Sequence, residues 1–263
     1  MGLTVPTISH HVPMVSATAY QVAWQDLGLP PMPTVLHVAP RGYPEVERQR
    51  VLTEAYDEMR AAGLFDGRGY DLDFVAAMAV LARPRRSVDA RLWLGAEVRA
   101  LAAASTGRAV LAVLVSDHVR VHPVDPANLA VSVVRLLPPR PAGPGRSVSL
   151  PADVLEEAAA QAGASVASLR TALCDLGAHP ADAHHIARMS ADACHGGQFG
   201  ATVVDGLGRW GRADHVVGFH DTPAGRYLME RHRAVDGRWW ITIAPADANR
   251  LVGQVERLLN GIG

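Results

Sequence analysis

Two groups of side chains could in principle carry chemistry. Cys174, His184, His185, Cys194 and His195 lie close together along the chain, and His220-Asp221 forms an adjacent imidazole and carboxylate. A zinc centre needs about four ligands at a recognised spacing, such as Cys-x2-Cys or His-Glu-x-x-His, and neither spacing occurs. His184 and His185 are neighbours on a predicted helix and so point in different directions. His220-Asp221 could serve as an acid–base pair of a hydrolase, but it runs into Thr222-Pro223-Ala224-Gly225, where capping of a turn is its expected role. No Gly-x-Ser-x-Gly elbow accompanies it. The carboxylates Asp153, Glu156 and Glu157 belong to a helix start, where they favour the dipole. Gly206, Gly208 and Gly211 fall in a predicted hairpin, not between a strand and a helix, which argues against a dinucleotide fingerprint. All 25 basic residues are arginine. Without lysine there is no phosphate-binding GK[ST] loop, no serine–lysine pair and no pyridoxal Schiff base. The expectation is a protein with no cofactor, no metal and no catalytic residues.

The elements that position these groups follow from composition and pattern. The chain has 263 residues, 49% hydrophobic and 19% charged, enough to bury a sizeable core. Its net charge of −1 offers no basic stripe for nucleic acid. Two cysteines do not make a disulfide framework. Met1 to Pro13 lacks a signal peptide's basic start and apolar run. The longest apolar stretch, Ala109 to Val115, is too short to span a bilayer, so no membrane insertion is expected. These features predict a cytoplasmic protein; a monomer or weak dimer is expected, although nothing in the pattern sets the oligomeric state.

Helices are predicted at Ala17–Leu27, from Tyr43-Pro44 to Gly63, at Phe74–Ala82 and at Pro126–Leu137, with an extended piece at Thr34–Val38. Strands are predicted at Ser87–Leu94, Glu97–Ala104, Ala109–Ser116 and Val119–Val124. A proline-rich segment, Pro138 to Gly145, leads to a second half. That half has predicted helices at Pro151–Gln161, Val166–Leu176, Ala181–Ala193 and Ala246–Leu259. Its strands are predicted around Gly200–Leu207, His215–His220, Tyr227–Ala234 and Arg238–Ile243.

The two halves end alike. Val121–Pro138 aligns with Ile243–Asn260, matching Pro123 with Pro245, Asp125 with Asp247, Leu129 with Leu251 and Val133 with Val255. Arg135-Leu136-Leu137 matches Arg257-Leu258-Leu259, and upstream Gly107-Arg108 matches Gly225-Arg226. This predicts a duplicated unit, halves of about 16–138 and 146–260 related by a pseudo-twofold. The expected fold is α+β, a central antiparallel sheet flanked by helical bundles, with residues 1–15 frayed and 16–263 forming one domain.

Several phrases also carry a family resemblance. They are Trp24-Gln25-Asp26-Leu27-Gly28-Leu29-Pro30, Leu81-Ala82-Arg83-Pro84, Val88-Asp89-Ala90-Arg91 and Gly145-Arg146-Ser147-Val148-Ser149-Leu150-Pro151. At the C-terminal end stand Asp221 to Leu228, Asp236-Gly237-Arg238-Trp239-Trp240 and Ile243-Ala244-Pro245-Ala246-Asp247. In order and spacing they resemble the EspG family of ESX (type VII) secretion-associated proteins, from about Ala17 to Leu259. The resemblance implies a cytosolic chaperone that covers the apolar tip of the PPE partner in a PE–PPE heterodimer and marks the pair for one secretion system. It further implies a binding surface at a hairpin tip, here Trp93, Leu94, Gly95, Ala96 and Glu97. The C-terminal helix would join it through Leu251, Val255 and Leu258 or through its outer face, although periodicity assigns those three side chains to the core. A scaffold relative without PE–PPE clients, and a hydrolase using His220 and Asp221, are the competing readings.

Overall fold

The computed structural model describes residues 14–40, 45–163 and 165–262. In chain order the first half runs β1 (Met14–Ser16), α1 (Ala17–Asp26), α2 (Glu45–Ala61), α3 (Leu72–Ala82), β2 (Arg86–Trp93), β3 (Glu97–Ser105), β4 (Arg108–Val115), β5 (His118–Val124) and α4 (Leu129–Val134). The second half runs β6 (Val148–Pro151), α5 (Ala152–Ala162), α6 (Val166–Asp175), α7 (Pro180–Met189), β7 (His195–Val204), β8 (Trp210–Arg212), β9 (Val217–Thr222), β10 (Gly225–Arg233), β11 (Trp239–Pro245) and α8 (Ala248–Asn260). Helix starts follow local chemistry: the side chains of Ser16, Asp71, Ser165 and Asp247 each accept a backbone N–H of the first turn.

All strands join one antiparallel sheet in the order β1-β5-β4-β3-β2-β7-β9-β10-β11-β6, with β8 pairing β7 off this path. Read outward from the β2–β7 seam, the order is the same on both sides. Each half runs a meander toward the edge and closes it with its own first strand. The predicted pseudo-twofold therefore passes through this seam, where β2 and β7 pair antiparallel. The aligned aspartates do equivalent work: Asp125 caps the 3-10 turn (Pro126–Asn128) before α4, and Asp247 caps α8.

Alternation along the strands assigns the two faces. Val88, Ala90 and Leu92 of β2, Phe199 and Ala201 of β7, and Leu228 of β10 pack with α4 and α8 in one cluster. On the opposite face, Leu101, Ala103, Val110, Ala112 and Val119 pack with α1–α3, and Tyr227 and Ile243 pack with α5–α7. Two helical bundles thus sit on one face, over opposite wings of the sheet, and α4 and α8 cover the other.

The proline-rich crossover is pinned to β10 by a buried ion pair. Arg226 and Asp221 are 1% and 0% exposed, with Nε–Oδ1 at 2.7 Å and Nη2–Oδ2 at 2.9 Å. Arg226 Nη2 also donates to the Pro138 carbonyl, its backbone N–H donates to that of Pro141, and Gly143 N–H donates back to the Arg226 carbonyl. Gly143 must be glycine, because a Cβ there would fall 2.2 Å from the Tyr227 ring.

Several expectations are corrected. Residues 14 and 15, expected to be frayed, pair with β5. Thr34–Leu36 is a 3-10 turn instead of an extended piece, and the helix expected over Pro126–Leu137 is a 3-10 turn followed by a short α4. β7 starts at His195, earlier than expected, and β6 and β8 were not foreseen. The proposed helix opening at Tyr43-Pro44 lies outside the described residues.

Candidate protein-docking surface

Neither bundle covers the seam. The side chains of β2 that face the bundle side are Ser87, Asp89, Arg91 and Trp93, and exposure rises along that series from buried to 58% at Trp93. From β7 the same face carries Gly196, Gln198, Gly200 and Thr202. The polar half of this alternation marks a sheet face not covered by apolar helix. The result is a trench, part of which forms a cleft of about 500 Å³ lined by Pro31, Pro33, Leu81, Asp89, Arg91 and Arg212 among others. Trp210 of β8, 66% exposed, lines it at the end far from Trp93.

Arg212 spans the trench floor and grips Asp89 with both ends of its fork, at 2.7 and 3.1 Å. Gly200 makes room for this: a Cβ there would come within 2.3 Å of the guanidinium. At the other end Trp93 pairs with Glu97 on β3 and with Gly196 on β7. Because Gly196 has no side chain, the indole is unsupported on its β7 side. Beyond Gly196 the same row holds His220, stacked on Tyr227 with ring centroids 5.3 Å apart.

The sequence-predicted residues divide between the two faces. Trp93, Gly95 and Glu97 are exposed at the β2–β3 hairpin and Ala96 is half-buried; Gly95 carries a φ of 86° that suits glycine at the tip. Leu94 points the other way and joins the α4/α8 cluster. Leu251, Val255 and Leu258 are 0%, 0% and 5% exposed in that same cluster. Expected as contact residues, these four are correctly core residues that support the hairpin and hold α8, because their spacing selects the sheet-facing side. The outward side of α8 carries Glu256 and Arg257. The same face also presents Arg91, Arg99, Gln198 and Trp210, of which Arg91 was signalled by the alternating polar residues of β2.

Of the histidine candidates, His195 lies with its Nδ1 3.5 Å from Asp221 Oδ2, and His220 is built into the sheet. His220 is 9% exposed, and its Nε2 lies 2.8 Å from the Met189 carbonyl at the end of α7. Burial holds its pKa below the usual histidine value, against the opposing effects of the Met189 carbonyl and Asp221. Asp221 faces the opposite side of the sheet, with both carboxylate oxygens held by Arg226. An acid–base dyad would need both groups in one place, and they are not. Among the described residues no group of three His, Cys, Asp or Glu could hold a metal, and no helix is long and apolar enough to cross a membrane.

Comparison with known families adds the decisive observation: the model of the EspG family matches residues 16–257. The chain belongs to the EspG family. The fold is also that of a solved structure, the Mycobacterium tuberculosis type VII secretion system chaperone EspG5 in complex with a PE25–PPE41 dimer. The likeness has a TM-score of 0.71 at 20% identity and covers 95% of this chain and 96% of that one. No curated protein matches.

Proposed function

We propose that this EspG-family chain is a non-enzymatic, cytosolic chaperone of type VII secretion. It binds the exposed apolar tip of the PPE member of a PE–PPE heterodimer, keeps the pair soluble and directs it to an ESX system. The observation that carries this reading is the uncovered seam with Trp93 standing free beside Gly196. A half-exposed tryptophan flanked by a polar trench fits an interface with one aromatic anchor inside a wetter rim. The contacts are assigned to Trp93, Gly95, Ala96 and Glu97 with the trench floor. Leu94, Leu251, Val255 and Leu258 hold that hairpin from beneath. A client must be released at the secretion machinery, and a surface with few anchors suits reversible binding. A hydrolase is disfavoured because Asp221 is consumed by Arg226, and a scaffold without clients leaves the free Trp93 without a role.

The test is co-expression of the tagged chain with PE–PPE pairs from its own genome, followed by purification. A stoichiometric, soluble complex containing a PE–PPE pair is expected. Purification of the chain alone beside insoluble pairs would contradict the proposal.

A further inference from the structure

We infer that the client presents a carboxylate about one helical turn from its apolar tip, and that Arg91 and Arg99 receive it. This rests on the docking role proposed above and specifies its chemistry. Arg91 of β2 and Arg99 of β3 are direct cross-strand partners, and both side chains are on the bundle side of the sheet, beside Trp93. Like charges placed opposite each other on a sheet are unfavourable. Other arginines of this sheet are neutralised: Arg212 is paired with Asp89, Arg226 with Asp221 and Arg231 with Glu156, while Arg86 and Arg233 are held by Asn260 and the Gly237 carbonyl. At Arg91 and Arg99 no such ion pair exists. Arg99 donates to the His37 carbonyl at 3.2 Å, and among the described residues no carboxylate reaches either guanidinium. Asp89, the next residue on this face of β2, is already occupied by Arg212. Glu97 stands opposite Trp93 and forms no ion pair with them.

The guanidinium of Arg91 and the remaining donors of Arg99, side by side, form a receptor for a carboxylate, which accepts paired N–H donors. Residues two apart on a strand are separated by about 7 Å. A helical client that sets an apolar side chain on Trp93 therefore brings a residue about one 5.4 Å turn away over Arg91. The occupant is a helical protein segment with Asp or Glu three or four positions from its apolar anchor.

The experiment compares wild type with the Arg91→Gln/Arg99→Gln double variant in two arms. In the first, the PE–PPE pair recovered by co-expression is titrated against both proteins at several salt concentrations. The variant is expected to bind at least about tenfold more weakly, with a shallower salt dependence. Equal affinity and equal slope would overturn the inference while leaving the chaperone role intact. The second arm needs no client: melting temperature is measured with sodium sulfate or sodium chloride at matched ionic strength. The variant is expected to melt about 1–3 °C higher in chloride, and sulfate should raise the wild type more than the variant. Indistinguishable responses would overturn the arginine receptor. If wild type recovers no PE–PPE pair, the chaperone role fails by itself and this second arm still decides whether the anion receptor exists.

Discussion

Trp93 lies directly across the β2–β7 ladder from Gly196, so the indole at the end of β2 has no side-chain neighbour on that side. The next residue, Leu94, turns to the opposite face and is buried beneath α4 and α8. One hairpin thereby offers an exposed aromatic on one face and a core anchor on the other.

The two faces should separate binding from stability. Trp93→Ala is expected to weaken client capture at least tenfold while changing unfolding free energy by less than about 1 kcal/mol, as for a surface position. Leu94→Ala is expected to cost about 2–5 kcal/mol by opening a cavity. Urea unfolding and capture assays on both variants check this. Equal destabilisation by the two would contradict the assignment of faces.

Neighbouring glycines of β7 should behave differently. A Cβ on Gly197 would lie 2.4 Å from the Arg91 carbonyl and 2.8 Å from Leu92 Cα, both backbone atoms. A Cβ on Gly196 would meet nothing closer than 3.4 Å. Gly197→Ala is therefore expected to destabilise by about 1–3 kcal/mol, and Gly196→Ala by much less. Thermal unfolding of the pair gives the answer.

Asp221→Asn leaves Arg226 charged at 1% exposure with a weakened partner. A loss of about 3–5 kcal/mol is expected on breaking such a pair. The crossover Pro138–Gly145, bound to Arg226 through Pro138, Pro141 and Gly143, should then become more susceptible to limited proteolysis.

Stability should fall on mild acidification. Burial lowers the pKa of both His220 and His122, with nearby Arg120 adding to the effect at His122. Below the unfolded histidine pKa of about 6.5, the unfolded chain binds more protons than the folded one. Stability held above that pH is therefore lost as pH falls toward the lowered folded values. Each histidine contributes up to about 1.4 kcal/mol per pH unit in that window. The slope between pH 6.5 and 5 should be shallower in His220→Gln, measured by denaturant unfolding.

The sequence made the local elements and the duplication legible because their signals are local. Pro123 and Asp125 recur as Pro245 and Asp247, and the aspartates cap in both places. What escaped was long-range. Val148–Leu150 fell in no predicted element, and only pairing with β11 makes β6 a strand. Gly196 and Gly197 disguised the start of β7, because glycine has little strand preference. The Asp89–Arg212 pair joins residues 123 apart in sequence, so the trench floor could not be assembled from spacing alone. Leu251, Val255 and Leu258 show the reverse: periodicity pointed them to the core, and the core is where they lie.

Hydrogen exchange of the chain with and without its co-purified PE–PPE pair tests the central claim most directly. Protection is predicted at the β2–β3 hairpin around Trp93–Glu97 and along β7, with no change on the outer side of α8. Protection confined to α8, with the hairpin unaffected, would contradict a docking surface at the seam.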